Sequence, residues 1–322
     1  MTDHFEFRLS RRRLIQAGVA AGVTATVANS IAMAANAPAT PTKAGTIMKT
    51  IPSTGEKLPA VGVGTNAYGV SSAEELAELR KVLSAMPGLG GSVIDTAQAY
   101  GSSEEVIGKL LADIGNRDKF FLATKTPLAG DISGGKAVLD NSFRRLGVSK
   151  IDLLQIHNVY GLDELMPHYL EYKAAGKIRY IGITTSVDRQ YEQMRTALGK
   201  YKFDFMQIDY SIGDRSAADN LLPMAKDKGL AVLNNTPFGG RGRSYFPRVA
   251  GKPVPDWAKE FDATTWAQFF LKYNISHPVI TAAIPGTTTL AYLEDNQAGG
   301  RGRLPDAAMR KKMEEFWDSM PA

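Results

Sequence analysis

Residues 93–105 read VIDTAQAYGSSEE and contain the strand-to-helix transition on which the fold assignment rests. The apolar run up to Asp95 is typical of a buried strand, and an amphipathic stretch of helical length follows over Glu104–Asp113. One tyrosine, Tyr100, lies in the short connection between them. The stretch therefore predicts one unit of an α/β fold in which a strand leads into a helix.

The same alternation continues along the chain from about Thr46 onward. The predicted strands are Ala60–Gly64, Ser92–Asp95, Phe120–Thr124, Ile151–Ile156, Tyr180–Thr184, Phe205–Ile208, Leu230–Leu233 and Val279–Ala283. The clearest helical stretches are Ala73–Ala85, Glu104–Asp113, Val138–Leu146, Asp163–Ala175 and Ala263–Tyr273. The strands lack clean polar alternation, which indicates burial on both faces of a parallel sheet. Eight such units predict an α/β fold of the (β/α)8 TIM barrel type.

Three segments add to this barrel. A polar N-terminal hairpin is predicted over Thr46–Pro59, and a C-terminal extra helix over Pro305–Ser319. The segment Pro237–Asp262 is too long for an ordinary connection, so we expect it to be functional. No composition break marks a second domain, so residues 46–322 are predicted to form a single barrel domain.

A doubly wound open sheet is the rival architecture. Residues 62–67 read GVGTNA after the first strand and match the G-x-G-x-x-A dinucleotide fingerprint. That fingerprint requires an acidic residue at the end of the second strand, about 20 residues further on. Asp95 ends a strand but lies farther away and is followed by Tyr100. The eight units with polar strand ends favour the barrel.

Composition excludes several classes of function. The chain has no cysteine, which rules out thiol nucleophiles, disulfides and cysteine-ligated iron–sulfur clusters. It has four histidines and no two at metal-ligand spacing, so no metal site is expected. The net charge of +5 includes +2 from four arginines and two acidic residues within the first 37 residues. The remainder contains no long run of like charge, so no nucleic-acid partner is expected.

The N-terminal segment is predicted to be an export signal. Residues 10–16 read SRRRLIQ and precede an apolar, small-residue stretch over Ala17–Met33, which ends in Ala-x-Ala patterns. The arginine pair resembles a twin-arginine signal, which implies the twin-arginine export machinery as a partner and a periplasmic or otherwise exported location. Residues 1–37 form this signal, with cleavage after Ala34 or Ala37, and residues 38–45 form a linker. An uncleaved tether is the alternative, but the stretch is short and rich in polar and small residues.

Four side chains at successive strand ends carry the predicted chemistry. Asp95, Lys125 and His157 end the second, third and fourth strands, and Tyr100 lies in the loop after the second. The strand ends of such a barrel carry its active site. A free phenol, with a pKa of about 10, is a poor acid near neutrality, and a neighbouring ammonium corrects this by stabilising the phenolate. Asp95 would hold and balance the ammonium.

His157 could steer a substrate carbonyl or relay its proton. No side chain supplies hydride, so a nicotinamide cofactor is implied and carbonyl reduction is the leading hypothesis. Each residue alone has an ordinary structural explanation: Asp95 as a helix cap, Tyr100 as a packing aromatic, Lys125 as a solvated residue and His157 as a satisfied histidine. The four together on consecutive strand ends favour the catalytic hypothesis.

These residues resemble those of an aldo-keto reductase, and the resemblance extends from Thr46 to the C terminus of the chain. Besides residues 93–108, the matching stretches are 141–147 (NSFRRLG), 151–158 (IDLLQIHN), 176–182 (GKIRYIG), 207–210 (QIDY) and 284–288 (IPGTT). The resemblance implies a TIM-barrel monomer that uses NADP or NAD on a small-molecule carbonyl substrate, with Tyr100 as proton donor. It also implies cofactor-binding positions: Asn158, Thr184, Thr185 and Gln207 at the nicotinamide amide, Gly239 and Gly240 at the pyrophosphate, and Asp295 and Asn296 at the adenine end.

The cofactor face departs from the family pattern. Asn235 occupies the position where the family places a tyrosine against the nicotinamide, and Thr184-Thr185 replaces a Ser-Asn pair. No lysine or arginine occurs from Ile284 to Asn296, so the cationic candidates for a phosphate are Arg241 and Arg243 in the long loop. These departures motivate an alternative, a catalytically idle nicotinamide- or carbonyl-binding protein on the same barrel. The intact tyrosine site favours the enzyme.

Overall fold

The computed structural model describes residues 45–240 and 243–321. The predicted signal, nearly all of the predicted linker and Arg241 lie outside the described residues, so the predictions made for them stay predictions. Among the described residues, no helix combines the length and the apolar content needed to cross a membrane.

Eight parallel strands form one sheet that curls into a barrel. In chain order the strands of the described residues are β1 (Met48–Thr50), β2 (Lys57–Pro59), β3 (Val63–Gly64), β4 (Val93–Asp95), β5 (Phe121–Lys125), β6 (Ile151–Ile156), β7 (Ile178–Thr184), β8 (Phe205–Asp209), β9 (Ala231–Asn235), β10 (Gly239–Gly240), β11 (Arg243–Ser244) and β12 (Ile280–Ala283). The barrel order is β3-β4-β5-β6-β7-β8-β9-β12, with parallel pairing throughout. The predicted (β/α)8 barrel is confirmed.

The barrel closes where its first strand meets its last. Parallel bridges join Val61 to Ala283 and Gly64 to Gly286, and the Gly62 amide donates to the Ala283 carbonyl at 2.9 Å. The open-sheet alternative is therefore wrong. Gly64 is needed at this seam because a Cβ there would lie 2.9 Å from the Ile284 carbonyl oxygen. Regular pairing covers only Val63–Gly64 of the predicted strand, since the preceding residues make the seam contacts.

Helices surround the barrel. They are α1 (Ala73–Ala85), α2 (Ser103–Ile114), α3 (Lys136–Leu146), α4 (Leu162–Ala174), α5 (Tyr191–Lys200), α6 (Leu221–Asp227), α7 (Phe246–Val249), α8 (Trp266–Ser276), α9 (Leu290–Gly299) and α10 (Ala307–Ser319). Side chains of Ser72, Thr265 and Asp306 accept hydrogen bonds from the first-turn amides of α1, α8 and α10. Each such cap typically stabilises a helix by about 1 kcal/mol.

The predicted N-terminal hairpin closes the end of the barrel at which the strands begin. Strands β1 and β2 pair antiparallel, with Met48 opposite Pro59. Ile51 and Leu58 of this hairpin pack with interior residues from the first half of the strands, including Val93, Phe121 and Phe205. Apolar side chains therefore fill the interior of the barrel at this end.

The long segment from Pro237 to Asp262 has structure of its own. It contains the small antiparallel pair β10–β11, with Gly239 opposite Ser244, then α7 and a 3-10 turn over Asp256–Phe261. The rings of Phe238 and Phe246, on either side of β10–β11, lie 5.2 Å apart in an edge-on contact. This segment therefore places the aromatic pair and Gly239 at the open end of the barrel.

Candidate active site

A cavity of about 550 Å³ opens at the carboxyl ends of the barrel strands. Asp95, Tyr100, Lys125 and His157 all line it, so the barrel brings together the four residues that the sequence placed on successive strand ends. Register explains the convergence, since Asp95 pairs with Ala123 and Lys125 pairs with Gln155 in adjacent parallel strands. Because these adjacent parallel strands end at the same level of the barrel, their last side chains lie close together.

A buried ion pair forms the floor of the cavity. Lys125 Nζ lies 2.6 Å from Asp95 Oδ2 and also donates to the Thr96 carbonyl at 2.8 Å. The two charged side chains are 2% and 3% exposed. Burial works to lower the pKa of Lys125, but Asp95 and, after it, Tyr100 together hold that pKa above its ordinary value. Lys125 is therefore a fixed cation beneath the cavity.

Tyr100 lies directly above this cation. Its hydroxyl oxygen is 3.4 Å from Lys125 Nζ, and the ammonium is 5.0 Å from the ring centroid. The ring is half-buried and meets the His157 ring edge-on at 6.1 Å. A phenol in contact with an ammonium that is itself anchored is the arrangement expected of a proton donor.

His157 is neutral at ordinary pH. Burial, and to a smaller extent the Lys125 charge, lower the pKa of His157 to about 3. Its Nδ1 atom is buried and has no hydrogen-bond partner among the described residues. A neutral imidazole beside the phenol can orient a carbonyl oxygen by hydrogen bonding, whereas it cannot act as a cationic acid near neutrality.

Gln155 belongs to the site although the sequence reasoning did not select it. Its Nε2 donates to Gln207 Oε1 at 2.7 Å and to Asp95 Oδ1 at 3.4 Å, while Gln207 Nε2 donates to Asp95 Oδ2 at 3.2 Å. The available signal was an inward position two residues before His157, because alternate residues of a strand share a face. Gln207 lines the cavity, but its amide is already engaged with Asp95 and Gln155.

Several predicted cofactor positions border the same cavity. Asn158, Thr184, Asn235, Gly239 and Arg243 all contribute to its wall. Asn158 adopts a left-handed backbone conformation with φ of 51°, and its backbone N–H donates to Thr184 Oγ1 at 3.0 Å. Asn235 Nδ2 donates to the carbonyl of Thr185 at 3.3 Å.

Thr185, Asp295 and Asn296 are not among the described residues that line the cavity. Thr185 is fully buried, and Asn296 is a buried residue of α9 itself. Asp295 accepts hydrogen bonds from the side chains of Thr265 and Gln268 at the start of α8. Gly240 is paired in β10, and Arg241 lies outside the described residues. The proposed adenine end is thus separate from the cavity that holds the tyrosine.

Aromatic residues of the long loop divide into two groups. Phe238 and Phe246 line the cavity. Tyr245 instead contacts Trp317 at 4.8 Å between ring centroids, and Trp257 contacts Phe316 at 5.6 Å, so both pack under the C-terminal helix. Tyr68, which follows the first barrel strand, is fully buried in the core.

A closed barrel with a tyrosine above a buried lysine–aspartate pair at its carboxyl end defines a class of oxidoreductase barrels, and sequence comparison agrees. The profile of the Aldo/keto reductase family matches residues 60–316. Aldo-keto reductase str7 of Strobilurus tenacellus is 30% identical over 289 residues, which are 77% of this chain and 84% of that protein. The chain therefore belongs to the aldo/keto reductase family and is an oxidoreductase.

Solved structures share the fold. The aldo/keto reductase from Klebsiella pneumoniae in complex with NADP and acetate is 24% identical and superposes with a TM-score of 0.67, covering 84% of this chain and 95% of that one. The holo form of aldo-keto reductase AKR11C1 from Bacillus halodurans is 22% identical with a TM-score of 0.67, covering 84% of this chain and 96% of that one. At this level of identity the likeness concerns the fold.

Proposed function

We propose that this protein transfers hydride between a nicotinamide nucleotide and an aldehyde or ketone, with Tyr100 as the proton donor in the direction of reduction. The observation that carries the proposal is the contact between the Tyr100 hydroxyl and Lys125 Nζ at 3.4 Å, with Lys125 held by Asp95 at 2.6 Å. The NADP bound to the Klebsiella pneumoniae structure supports the choice of cofactor class.

The chain's own residues account for the proton transfer. Asp95 keeps Lys125 charged and in place, and the ammonium stabilises the phenolate that remains after Tyr100 has given its proton to the carbonyl oxygen. Neutral His157 donates a hydrogen bond to the same oxygen and orients it toward the phenol. In the reverse direction the phenolate accepts the proton of an alcohol. A bound nicotinamide nucleotide supplies or accepts the hydride.

The cavity wall suits such a cofactor. Asn158, Thr184 and Asn235 offer amide and hydroxyl groups at one side, where a carboxamide could be held. Arg243 is exposed and shares the wall with Gly239, so its guanidinium lies where a pyrophosphate could be bound. We propose that NADP gains little over NAD, because the family's basic positions are occupied by Gly286, Thr287 and Tyr292.

Fluorescence titration and turnover together separate this proposal from an idle binding protein. The purified protein is titrated with NADH and NADPH while quenching of its tyrosine and tryptophan emission is followed. Oxidation of the reduced nucleotide is then measured with a panel of aldehydes and ketones. Quenching with turnover supports the enzyme. Quenching without turnover on the whole panel favours the binding protein. The absence of quenching contradicts both the enzyme and a nicotinamide-binding protein.

We further propose export by the twin-arginine route, with the nucleotide retained in a fraction of the molecules by the segment Pro237–Asp262. The sequence of residues 1–37 supports the first part, and the contact between Phe238 and Phe246 in this segment, beside the cavity, is compatible with a lid. Replacing Arg11 and Arg12 by lysine should abolish export. Mass spectrometry of ligand released by heat from periplasmic protein tests retention, and an always-empty site contradicts it.

A further inference from the structure

Arg145 attaches the loop that carries Tyr100 to a neighbouring helix. Residues 96–102 connect β4 to α2. Arg145, near the end of α3, donates from Nη1 to the Gln98 carbonyl at 3.1 Å and from Nη2 to the Gly101 carbonyl. These two carbonyls flank Tyr100 on either side, so the guanidinium spans the peptide segment from which the phenol projects.

The guanidinium is itself held in place. The Arg145 side chain is 11% exposed and lies 3.4 Å from the fully buried carboxylate of Glu104 and 2.6 Å from the carboxylate of Glu105. Glu104 accepts a hydrogen bond from Thr124 Oγ1 at 2.7 Å, and Thr124 directly precedes Lys125. One continuous set of contacts therefore joins α3 to the Tyr100 loop and to the strand that presents the ammonium.

Helix packing and a side chain add to this attachment. Helices α2 and α3 touch at Gly108, where a Cβ would lie 2.4 Å from the Leu146 carbonyl oxygen. Gln98 Nε2 donates to the Val138 carbonyl at 2.8 Å and to Ser142 Oγ at 2.9 Å, both on α3. The helix α3 carries none of the proposed catalytic groups. Its contacts with this loop can therefore affect the reaction only by fixing the position of Tyr100.

We infer that Arg145 is a positioning residue that sets the separation between the Tyr100 hydroxyl and the Lys125 ammonium. This inference rests on the proposed function of Tyr100. Without the guanidinium the loop loses its support at both flanking carbonyls, and the phenol can move away from the ammonium. A displacement of about 1 Å in a catalytic group can cost on the order of 100-fold in rate. Cofactor contacts on the other side of the cavity are unaffected.

The test compares Arg145→Met with two matched variants. We expect Arg145→Met to lower kcat by about 10- to 100-fold, with the cofactor Kd changed by less than about twofold. The groups facing the phenol are Asp95, Lys125 and His157. Because the ammonium would then lie farther from the group that transfers the proton, the pH profile of kcat should change as well. Arg145→Lys, which can still donate to one carbonyl, should recover part of the rate.

The matched variants are Glu105→Gln and Arg144→Met. Glu105→Gln weakens the ion pair with Arg145 but leaves the contacts of Arg145 with the Gln98 and Gly101 carbonyls. Arg144→Met changes the exposed neighbour of Arg145. Both should keep kcat and the pH profile close to those of the wild type. A loss in Glu105→Gln equal to that in Arg145→Met would overturn the inference, because a structural ion pair would then explain everything. If Arg145→Met does not fold, Arg145→Lys with an unchanged kcat and pH profile would also overturn it.

Amide hydrogen exchange provides a measurement that does not depend on turnover. Residues 97–103 should exchange at least about tenfold faster in Arg145→Met than in Glu105→Gln, which corresponds to about 1.4 kcal/mol. If wild-type protein reduces no carbonyl while the exchange difference is present, the proposed function fails and the attachment of the loop stands. Equal exchange in the two variants, with turnover intact in the wild type, contradicts the attachment alone.

Discussion

The tyrosine end of the cavity and the cofactor face differ in how closely they follow the family pattern. At the tyrosine end all four expected residues are present, and contacts link them in the order Asp95, Lys125, Tyr100 and His157. On the cofactor face, Asn235 stands where a tyrosine is expected, and exposed Tyr292 stands in a segment where basic residues are expected. The difference lies between a compact buried cluster and an extended, partly exposed surface.

The two regions differ in how many separate contacts contribute to stability or to binding. In the buried cluster Lys125 and Asp95 are each other's counter-ion, so loss of either one leaves an uncompensated ion in a medium of low dielectric constant. A dinucleotide is held by many separate groups along its length, and removal of one ring or one cation weakens binding without abolishing it. The cofactor face can therefore change residue by residue, whereas the cluster can be changed only as a unit.

Tyr100→Phe should have the largest effect. It removes the transferable proton and little volume, so we expect carbonyl reduction to fall by about 10² to 10⁴, with the fold and the cofactor Kd nearly unchanged. Steady-state kinetics and fluorescence titration of the same preparation measure both quantities. Turnover like that of the wild type would remove Tyr100 from the role of proton donor.

Lys125→Met should affect stability as well as rate. It leaves the Asp95 carboxylate buried without its cation, which typically costs about 3–5 kcal/mol of unfolding free energy. Denaturant unfolding measures this loss. The double variant Lys125→Met with Asp95→Asn should recover much of the stability and none of the activity. If the single variant is as stable as the wild type, the ion pair is not buried in solution as it is in the structure.

His157→Gln should change the response of stability to acid. The pKa of His157 is about 3 in the folded protein, against about 6.5 in an unfolded chain, so between these values the unfolded state binds more protons. Wild-type stability must therefore fall as pH drops from about 6.5 toward 3. The variant should lose less stability between pH 7 and pH 4.5, by on the order of 2 kcal/mol. His168→Gln on α4 is the control and should keep the wild-type slope.

The smallest expected effect lies on the cofactor face. Tyr292 is 59% exposed at the start of α9, so an arginine there would meet a phosphate in solvent and contribute about 1 kcal/mol or less. We expect Tyr292→Arg to tighten NADPH by up to about fivefold and to leave NADH unchanged. Tyr292→Met is the uncharged control. An equal gain for both nucleotides would show that the 2′-phosphate is not near this position.

The barrel and its tyrosine cluster could be predicted because short-range patterns determine both. Strand ends are visible in the sequence, and adjacent parallel strands bring the ends together at Asp95, Lys125 and His157. Gln155 was not predicted, because one polar residue within an apolar strand shows its partners only after the register is known. Arg145 was missed for a related reason, since its targets are backbone carbonyls and a carbonyl has no signature in the sequence.

The aromatic residues of the long loop show a second limit. Phe238, Tyr245, Phe246 and Trp257 look alike as candidates for a pocket wall, yet only the two phenylalanines reach the cavity. The other two pack against Phe316 and Trp317 in α10. The position of the C-terminal helix determines which rings face the cavity. Because that helix is distant in the chain, the sequence of the loop alone does not show which aromatic residues it will cover.

The seam of the barrel has a consequence for how the chain is made. Strand β3 finds its second neighbour only when residues 280–286 are present, because Val61 and Gly64 pair with Ala283 and Gly286. During synthesis the growing sheet therefore keeps open edges on β3 and β9, and such edges can recruit a strand from another molecule. The joining of sequence-distant strands is intrinsically slow. A chain cut short before β12 should thus associate with copies of itself even though most of its barrel has been made.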